Sequence, residues 1–239
     1  MRTGTQYTPD GSPNLSDLTF LPKAGFTGSV QIGYEGTDSR GKTFRGQIRI
    51  QVNQGSGSRY FQDMGSYAWA APYVDLLYEA GVITGTGGQR YRPADAVSRG
   101  DFMLMLYRAF QLTPASGAGF PDVPPGSYYA QAIQAARAAG IASGYPDGGF
   151  HPQEPVTRQD AMVLLERTMQ ATGWSLGAAN TGYLSGFRDG GMVAPYAQEA
   201  MSHMIEYGII TGTPEQKLNP IQSISRAEMA VMLARAITF

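Results

Sequence analysis

The chain has 239 residues, a formal net charge of -1 and charged residues at 15%, a balance that argues against bulk electrostatic attraction to nucleic acid. It has no cysteine, so neither a disulfide framework nor thiolate chemistry is available. No apolar run approaches the ~20 residues of a membrane span. The N-terminus lacks the apolar core of a signal peptide. We therefore expect this chain, if its parent is exported, to be an interior or C-terminal piece.

The N-terminal quarter has a β pattern after a polar stretch that we interpret as loop. Leu18–Leu21 is predicted as a short strand that ends at Pro22. Residues 29–34 and 44–52 alternate polar and apolar side chains, which indicates half-buried antiparallel strands. The turn-forming residues 37–41 between them predict a hairpin.

The stretch PKAGFTGSVQIGYEGTDSRGKTFRGQIRIQV, residues 22–52, resembles the closing strands of immunoglobulin-like domains that bacterial surface proteins carry in tandem. A complete sandwich of that kind needs about seven strands, and the pattern here supplies three. We therefore predict a partial immunoglobulin-like β segment over residues 1–54. A Gly- and Ser-rich linker is predicted over residues 55–60.

The remaining three quarters contain one unit three times, which we place at residues 61–110, 120–169 and 187–239. Each unit opens with Phe-x-Asp and carries four landmarks at fixed offsets, which is a strong repeat signal. These landmarks are Gly81, Gly140 and Gly208; Gly85, Gly144 and Gly212; Pro93, Pro152 and Pro220; and Arg99, Arg158 and Arg226.

Each unit is predicted to contain two helices. The first ends at the leading glycine, and the second begins at a capping box, in which a hydroxyl accepts from the N3 amide. The boxes consist of Ser98 with Asp101, Thr157 with Asp160, and Ser225 with Glu228. Each second helix is apolar over most of its girth, so the three should pack at the centre of the domain. Arg108, Arg167 and Arg235 near their ends suit the helix dipole and are interpreted as structural.

The triplicated unit resembles the S-layer homology domain. The second copy carries FPDV, GIASGYPDGGFHP and VTRQD; the third carries FRDG, GIITG and ISRAE; the first carries FQDM, GVITG and VSRGD. Gly100 and the stretch Thr213–Gln216 depart from the family pattern, which puts binding at those loops in doubt. The resemblance implies a mainly α fold, a pseudo-threefold, three-pronged spindle with a central three-helix bundle, to which the N-terminal antiparallel β segment is added.

The implied activity is non-covalent binding of a secondary cell-wall polysaccharide, often one with pyruvate ketals, in grooves between neighbouring prongs. The implied location is extracellular and associated with the cell wall. We expect no cofactor, no nucleic acid, no membrane insertion and a monomer in isolation. Because the acidic residues recur in every copy as caps, a catalytic site is not expected. The open alternatives are a self-assembly module of a surface layer and binding of modified peptidoglycan.

The site arginines, by which we mean Arg99, Arg158 and Arg226, each lie in the first turn of a helix, where a cation is mildly unfavourable. An anion would relieve this, because free helix amides together with a guanidinium form a natural carboxylate site. A pyruvyl ketal supplies one carboxylate. The alternative is a structural pairing of these arginines with Asp63, Asp122 or Asp189.

Two further sets are candidate ligand contacts. Trp69, Tyr128 and Tyr196 align with the family's aromatic position and could stack on sugar rings or belong to the core. Gly85, Gly144 and Gly212 could let a ligand approach the backbone, or could serve a turn that needs positive φ. The carboxylates Asp101, Asp160 and Glu228 are interpreted as caps. His151 and His203 occupy unrelated positions, so no metal site or catalytic pair is expected.

Overall fold

The structure is a computed structural model that describes residues 28–37, 41–52 and 57–238. The chain divides into two compact units, on either side of the step from Ser56 to Gly57. In the first unit, β1 (Gly28–Thr37) and β2 (Thr43–Val52) pair antiparallel, with Gly28 opposite Val52 and Thr37 opposite Thr43. This confirms the two predicted strands. The predicted strand Leu18–Leu21 and most of the predicted turn lie outside the described residues.

The β hairpin places its apolar side chains on one face. Val30 faces Ile50 across the pair, and Ile32 faces Ile48. All four are half-buried, whereas the intervening residues of both strands are mostly exposed. This is the alternation that period-two patterning produces. The immunoglobulin-like assignment and the domain boundaries at residues 54 and 61 stay predictions.

The second unit contains a pair of helices in each repeat. They are α1 (Ala71–Glu79) and α2 (Arg99–Ala109), α3 (Ala130–Ala138) and α4 (Arg158–Ala171), and α5 (Gln198–Glu206) and α6 (Arg226–Ile237). The first helices end at glycines with positive φ, namely Gly81, Gly140 and Gly208, as the sequence predicts. The second helices are buried around most of their girth; α6 alone buries eight of its residues.

The repeats interlock cyclically. The first helix of each repeat packs on the second helix of the preceding repeat: α3 on α2, α5 on α4, and α1 on α6. Helix α2 also contacts α4 and α6 at the centre. The predicted three-pronged arrangement with central second helices is therefore confirmed. The helices of each repeat are therefore buried largely by contacts with helices of the neighbouring repeats.

A ring of backbone hydrogen bonds closes the pseudo-threefold arrangement just before the second helices. Val97 N–H donates to the Ile224 carbonyl at 3.0 Å, Ile224 N–H to Val156 at 3.1 Å, and Val156 N–H to Val97 at 2.9 Å. All three side chains are buried. Each β-branched residue thus joins two repeats at once, and this ring fixes the start of each second helix relative to the others.

Part of the predicted linker belongs to the folded unit. The Ser58 hydroxyl and the Arg59 N–H both bond to the carboxylate of Asp75 on α1, the latter at 2.9 Å. Tyr60 donates from its hydroxyl to Glu79 at 2.7 Å. The end of the predicted linker is therefore held against α1, because this segment supplies the donors that the buried Asp75 needs. The linker itself stays a prediction.

Candidate functional site

The site arginines each cross from their own repeat into the following one. In every case Nε donates to the carbonyl that lies ten residues after the glycine ending the first helix of that repeat. Arg99 reaches Phe150 at 3.1 Å, Arg158 reaches Leu218 at 2.8 Å, and Arg226 reaches Tyr91 at 2.7 Å. The guanidinium groups therefore lie at the boundaries between repeats. The sequence predicts only that each arginine lies in the first turn of a helix.

The helix amides beside these arginines are not free. Arg99 N–H and Gly100 N–H donate to Glu154 and Pro152 of the second repeat, both at 2.9 Å. The first two amides of α4 and α6 pair in the same way with the next repeat, and each third amide bonds to the N-cap hydroxyl. The expectation that free helix amides contribute to an anion site is therefore wrong, because these amides already donate to carbonyls of the next repeat and to the N-cap hydroxyl.

The opening aspartates do not pair with the site arginines. Asp63 accepts from the backbone N–H groups of Tyr91 and Arg92 at 2.9 and 2.8 Å. Asp122 and Asp189 accept in the same way from the two equivalent amides of their own repeats. The alternative prediction, that the site arginines pair with these opening aspartates, is therefore wrong. The aspartates fix the residue whose carbonyl then orients the arginine.

These amides also set the charge of the aspartates. Burial raises the pKa of Asp63, but hydrogen bonds from Tyr91 N–H and Arg92 N–H outweigh it, so the pKa lies below its usual value. The pKa of Asp122 is lowered by the same balance, with Phe150 and His151 as donors. A carboxylate that accepts two backbone amides is stabilised in its charged form.

Two tyrosines at the aligned aromatic position contact the N3 aspartates of the preceding repeat. Tyr128 donates from its hydroxyl to Asp101 at 2.6 Å, and Tyr196 donates to Asp160 at 2.8 Å. Burial, and then the bonded aspartate, raises the pKa of each tyrosine to about 12. Both rings nevertheless remain open to solvent, at 67% and 60% exposed. They therefore present ring faces at the repeat boundaries rather than filling the core.

Each groove between repeats takes components from all three repeats. A recess of about 110 Å³ is lined by Arg226 of the third repeat, by Asp101 and Arg108 of the first, and by Tyr128 of the second. We call this groove 1. Groove 2 is the equivalent position with Arg99, Asp160 and Tyr196. Groove 3 has Arg158, Glu228 and Trp69, the last of which precedes α1 where that helix packs on α6. A cation, a carboxylate and an aromatic residue thus occupy equivalent sequence positions at all three repeat boundaries, and in groove 1 they line one recess.

Comparison with known proteins identifies this repeated unit. The family described as "S-layer homology domain" matches residues 60–103, 119–162 and 186–230, which together are more than half of the chain. The chain belongs to the S-layer homology domain family. The three matched segments coincide with the three repeats that build the grooves.

Relatives of the S-layer homology unit include surface-layer proteins and a named enzyme. The chain is 29% identical over 180 residues to the "Surface-layer 125 kDa protein" of Lysinibacillus sphaericus, covering 74% of this chain and 14% of that protein. It is 24% identical to the "S-layer protein" of Bacillus thuringiensis subsp. finitimus, covering 75% and 21%. An "Endoglucanase" of Bacillus sp. (strain KSM-635) is 28% identical, with 73% and 18% covered.

The chain therefore spans less than a quarter of the length of these relatives. Family membership and similarity to surface-layer proteins support a wall-associated protein at the cell surface. Within the described residues, no helix combines the length and apolarity that crossing a membrane requires.

The S-layer homology unit contains a second set of arginines, one of which lines groove 1, a position that sequence reasoning missed. Arg108, Arg167 and Arg235 were interpreted only as partners of the helix dipole. Arg108 Nη1 instead donates to the Val82 carbonyl at 3.4 Å and lines groove 1. Arg167 and Arg235 reach the equivalent carbonyls, those of Ile141 and Ile209. Their fixed offset of nine residues from the site arginines was the available signal.

The glycines considered as points of ligand approach have a packing role. A Cβ on Gly85, Gly144 or Gly212 would lie 2.4–2.6 Å from a ring carbon of the opening phenylalanine of the same repeat. Gly144 and Gly212 also have φ of +78° and +73°. The close approach of the phenylalanine ring therefore explains why glycine occupies these positions without a role in ligand binding.

The caps differ between repeats in one respect. Ser98, Thr157 and Ser225 all accept from the N3 amide, as predicted. The reciprocal bond, from the N-cap N–H to the N3 side chain, is present only for Ser225 and Glu228, at 2.9 Å. The prediction of complete boxes at Asp101 and Asp160 is wrong; these shorter side chains instead accept from the cap hydroxyl and from a tyrosine.

The two histidines lie apart. His151 bonds to Asp147 and Glu154 at 2.7 and 2.9 Å beside Tyr145. Those two carboxylates, with Glu154 the stronger, raise the pKa of His151. His203 is buried against Glu166 on α4. Within the part of the chain that the structure describes, no group of three or more His, Asp or Glu side chains could hold a metal ion.

Proposed function

We propose that this chain anchors its parent protein to the bacterial cell wall without a covalent bond, by binding a pyruvylated secondary cell-wall polysaccharide in the grooves between repeats. The observation that carries the proposal is groove 1, where the Arg226 guanidinium and the exposed ring of Tyr128 line one recess, at positions that recur in the other repeats. A planar guanidinium suits a carboxylate, and an aromatic ring offers an apolar face to a sugar. The ketal carboxylate and the sugar ring of one residue would engage both.

In this mechanism the anion is held by side chains alone, because the neighbouring helix amides are occupied. The site arginine is already oriented through Nε, and N–H groups of its terminal nitrogens that have no partner in the protein would donate to the anion. In groove 1 a second arginine from another repeat, Arg108, adds positive charge. Tyr128, Tyr196 and Trp69 would stack on the sugar. Because these groups are pre-positioned, binding should cost little conformational entropy.

The chain is proposed to bind and not to catalyse. The opening aspartates hold backbone amides, and the N3 carboxylates hold caps, tyrosines or an arginine. Hydrolysis of a glycoside needs a pair of carboxylates flanking one bond, and the acids here are repeated and engaged. The enzyme name of one relative belongs to a protein of which this chain covers 18%.

Calorimetric titration with purified wall polysaccharide, native and after mild acid removal of the pyruvate, tests the proposal. We expect binding that is lost with the pyruvate. Equal binding of both forms would make the arginines structural and would leave neutral sugar contacts as the source of affinity. Absence of binding to either would favour modified peptidoglycan or a protein lattice partner.

A second candidate is self-assembly within a surface layer, since two relatives carry surface-layer names. Sedimentation of the isolated chain separates the two functions. An anchoring unit should remain monomeric in the absence of polymer, whereas a lattice module should associate as its concentration rises.

A further inference from the structure

The three site arginines are in different states, and we infer that the three grooves are not equivalent: groove 2 is the principal carboxylate site, whereas groove 3 is closed by Glu228 acting as an internal carboxylate on Arg158. This inference rests on the proposed function and specifies where it operates. It follows from three differences between the repeats, in the arginine partners, in the length of the N3 side chain, and in the loop beside the arginine.

In groove 2, Arg99 is buried, and no carboxylate of the described residues forms an ion pair with it. The residue is 8% exposed, and its guanidinium lies 4.7 and 4.9 Å from the rings of Tyr145 and Phe150. Within the described residues only its Nε has an acceptor, the Phe150 carbonyl at 3.1 Å. A guanidinium taken out of water without a counter-ion is costly, and the two rings offset part of that cost. An anion that enters the groove would meet free donors.

In groove 3, the equivalent guanidinium is already paired with a carboxylate. Arg158 Nε donates to Leu218, and Nη1 donates to Glu228 Oε1 at 3.0 Å. The other oxygen, Oε2, accepts from the N–H and the hydroxyl of Ser225 at 2.9 and 2.7 Å. Glu228 is therefore fixed from both sides. A ligand carboxylate must displace it, and a tethered competitor has a high effective concentration.

The identity of the N3 residue explains this difference. Asp101 and Asp160 are one methylene shorter than Glu228, and each accepts a tyrosine hydroxyl. In groove 3 the aligned aromatic is Trp69, which has no hydroxyl to hold the carboxylate. The pairing of aspartate with tyrosine keeps the acid away from the arginine, whereas glutamate beside tryptophan lets it reach the arginine.

Groove 1 is intermediate between the other two in how readily its arginine can bind a carboxylate. Arg226 Nε and Nη2 donate to the carbonyls of Tyr91 and Thr84 at 2.7 and 3.1 Å, and the guanidinium lies 4.4 Å from the Tyr91 ring. In the part of the chain that the structure describes, no carboxylate forms an ion pair with Arg226. Two of its donors are nevertheless committed to neutral acceptors, so fewer remain for a ligand than in groove 2.

Groove 2 also has a wall that the other two lack. Tyr145 lies next to Arg99 and is half-exposed, whereas the equivalent residues of the other repeats are Thr86 and Thr213. The ring of His151 lies 4.6 Å from that of Tyr145, and bonds to Asp147 and Glu154 fix the imidazole. Groove 2 thus offers Tyr145 in addition to Tyr196 beside the unpaired guanidinium, which suits a sugar with an adjacent carboxylate.

The test is calorimetry of the full chain with a methyl hexoside that bears one pyruvyl ketal, and with the same glycoside lacking the ketal. Arg99→Gln should weaken the tightest binding roughly tenfold or more, since a lost charged hydrogen bond is worth ~1.5–3 kcal/mol. Arg158→Gln should weaken that binding much less than Arg99→Gln does, because Arg158 is already paired with Glu228. Tyr145→Thr, which installs the residue of the other repeats, should weaken the same site while it preserves the fold.

Glu228→Gln provides the gain-of-function arm, because glutamine can still accept from Ser225 but no longer carries the competing charge. We expect one additional ketal-dependent site per chain, which Arg158→Gln then removes, and a change in tryptophan fluorescence that Trp69→Phe abolishes. Glu199→Gln, the same charge change at the exposed start of α5, should add nothing.

Equal losses for Arg99→Gln and Arg158→Gln, or an unchanged stoichiometry in folded Glu228→Gln, would overturn the inference. If neither wild type nor any variant binds the ketal glycoside, the proposed function itself fails. The two failures are therefore distinguishable in one set of titrations.

Discussion

At the scale of single residues, the opening aspartates connect two networks. Asp63 fixes the amides of Tyr91 and Arg92, and the Tyr91 carbonyl in turn orients Arg226 of a different repeat. A second hydrogen bond joins the same two residues, because the Tyr91 hydroxyl donates to the Arg226 carbonyl at 2.9 Å. A side chain that is remote from the groove thus determines where the groove cation lies.

Asp63→Asn should lower the free energy of unfolding by about 1–2 kcal/mol at neutral pH, because one charged acceptor of two amides is lost. The folded pKa of Asp63 lies below its unfolded value, so this contribution is present above the unfolded pKa of about 3.9. It is lost as pH falls through the folded pKa. Urea unfolding at a series of pH values should show the wild type and the variant converging in acid.

The exposed Asp95 of the same repeat is the matched control. Its side chain is 54% exposed and lies 3.8 Å from Arg92, and surface pairs of this kind contribute little. Asp95→Asn should therefore change stability by a few tenths of a kcal/mol at most. A difference between wild type and Asp63→Asn that stays constant down to acid would contradict the assigned role.

At the scale of elements, the turn of the second repeat contains two glycines that are required for different reasons. One needs only a positive φ, and the other also lies against a phenylalanine ring. Gly144 and Gly148 have almost the same φ, +78° and +83°, and they flank one turn in which Tyr145 N–H donates to Gly149 at 2.8 Å. A Cβ on Gly144 would lie 2.6 Å from the Phe120 ring, whereas one on Gly148 would meet nothing within 4 Å.

Gly148→Ala should therefore cost about 1–2 kcal/mol, the penalty of a left-handed backbone for an L-residue. Gly144→Ala should cost that amount and about 1–3 kcal/mol more, because the ring of Phe120 must move. Chemical denaturation of both variants measures the difference directly. Equal costs would mean that Phe120 moves aside freely and that backbone conformation alone requires glycine at position 144.

The elements also separate what sequence can predict from what it cannot. Helix starts, helix ends and the three repeats follow from local signals, such as Ser225 before an apolar run or Gly140 after one, and these predictions are confirmed. The partners of Arg158 and of the first amides of α4 were not predictable. A fixed offset gives a position within a repeat, but it does not say which acceptor of the next repeat lies opposite in space.

The same limit applies within the grooves. Glu228 and Asp160 occupy one alignment position and both suit a helix start, so the sequence gives no reason to separate them. The difference is one methylene, which decides whether the carboxylate reaches an arginine 3.0 Å away or a tyrosine of the neighbouring repeat. Such a choice depends on three-dimensional distances between repeats.

At the scale of the whole molecule, the second unit is a closed ring of repeats and not an open array. In a linear array each repeat contacts only its neighbours and stability is roughly a sum of local terms. Here α1 of the first repeat packs on α6 of the third, and Val97, Val156 and Ile224 share one ring of hydrogen bonds. Each repeat contributes to both other repeats, so no end repeat exists that could unfold alone.

Leu233→Ala, at a fully buried position on α6, should therefore destabilise all three repeats together. A buried leucine truncation costs about 2–5 kcal/mol, and hydrogen exchange of the full chain reports where that loss is felt. We expect the amides of Val97, Val156 and Ile224 to lose protection by the same factor, since opening the ring at one residue frees the other two. A loss confined to Ile224 and the third repeat would instead describe three separable units joined in a row, and the grooves would then assemble only transiently.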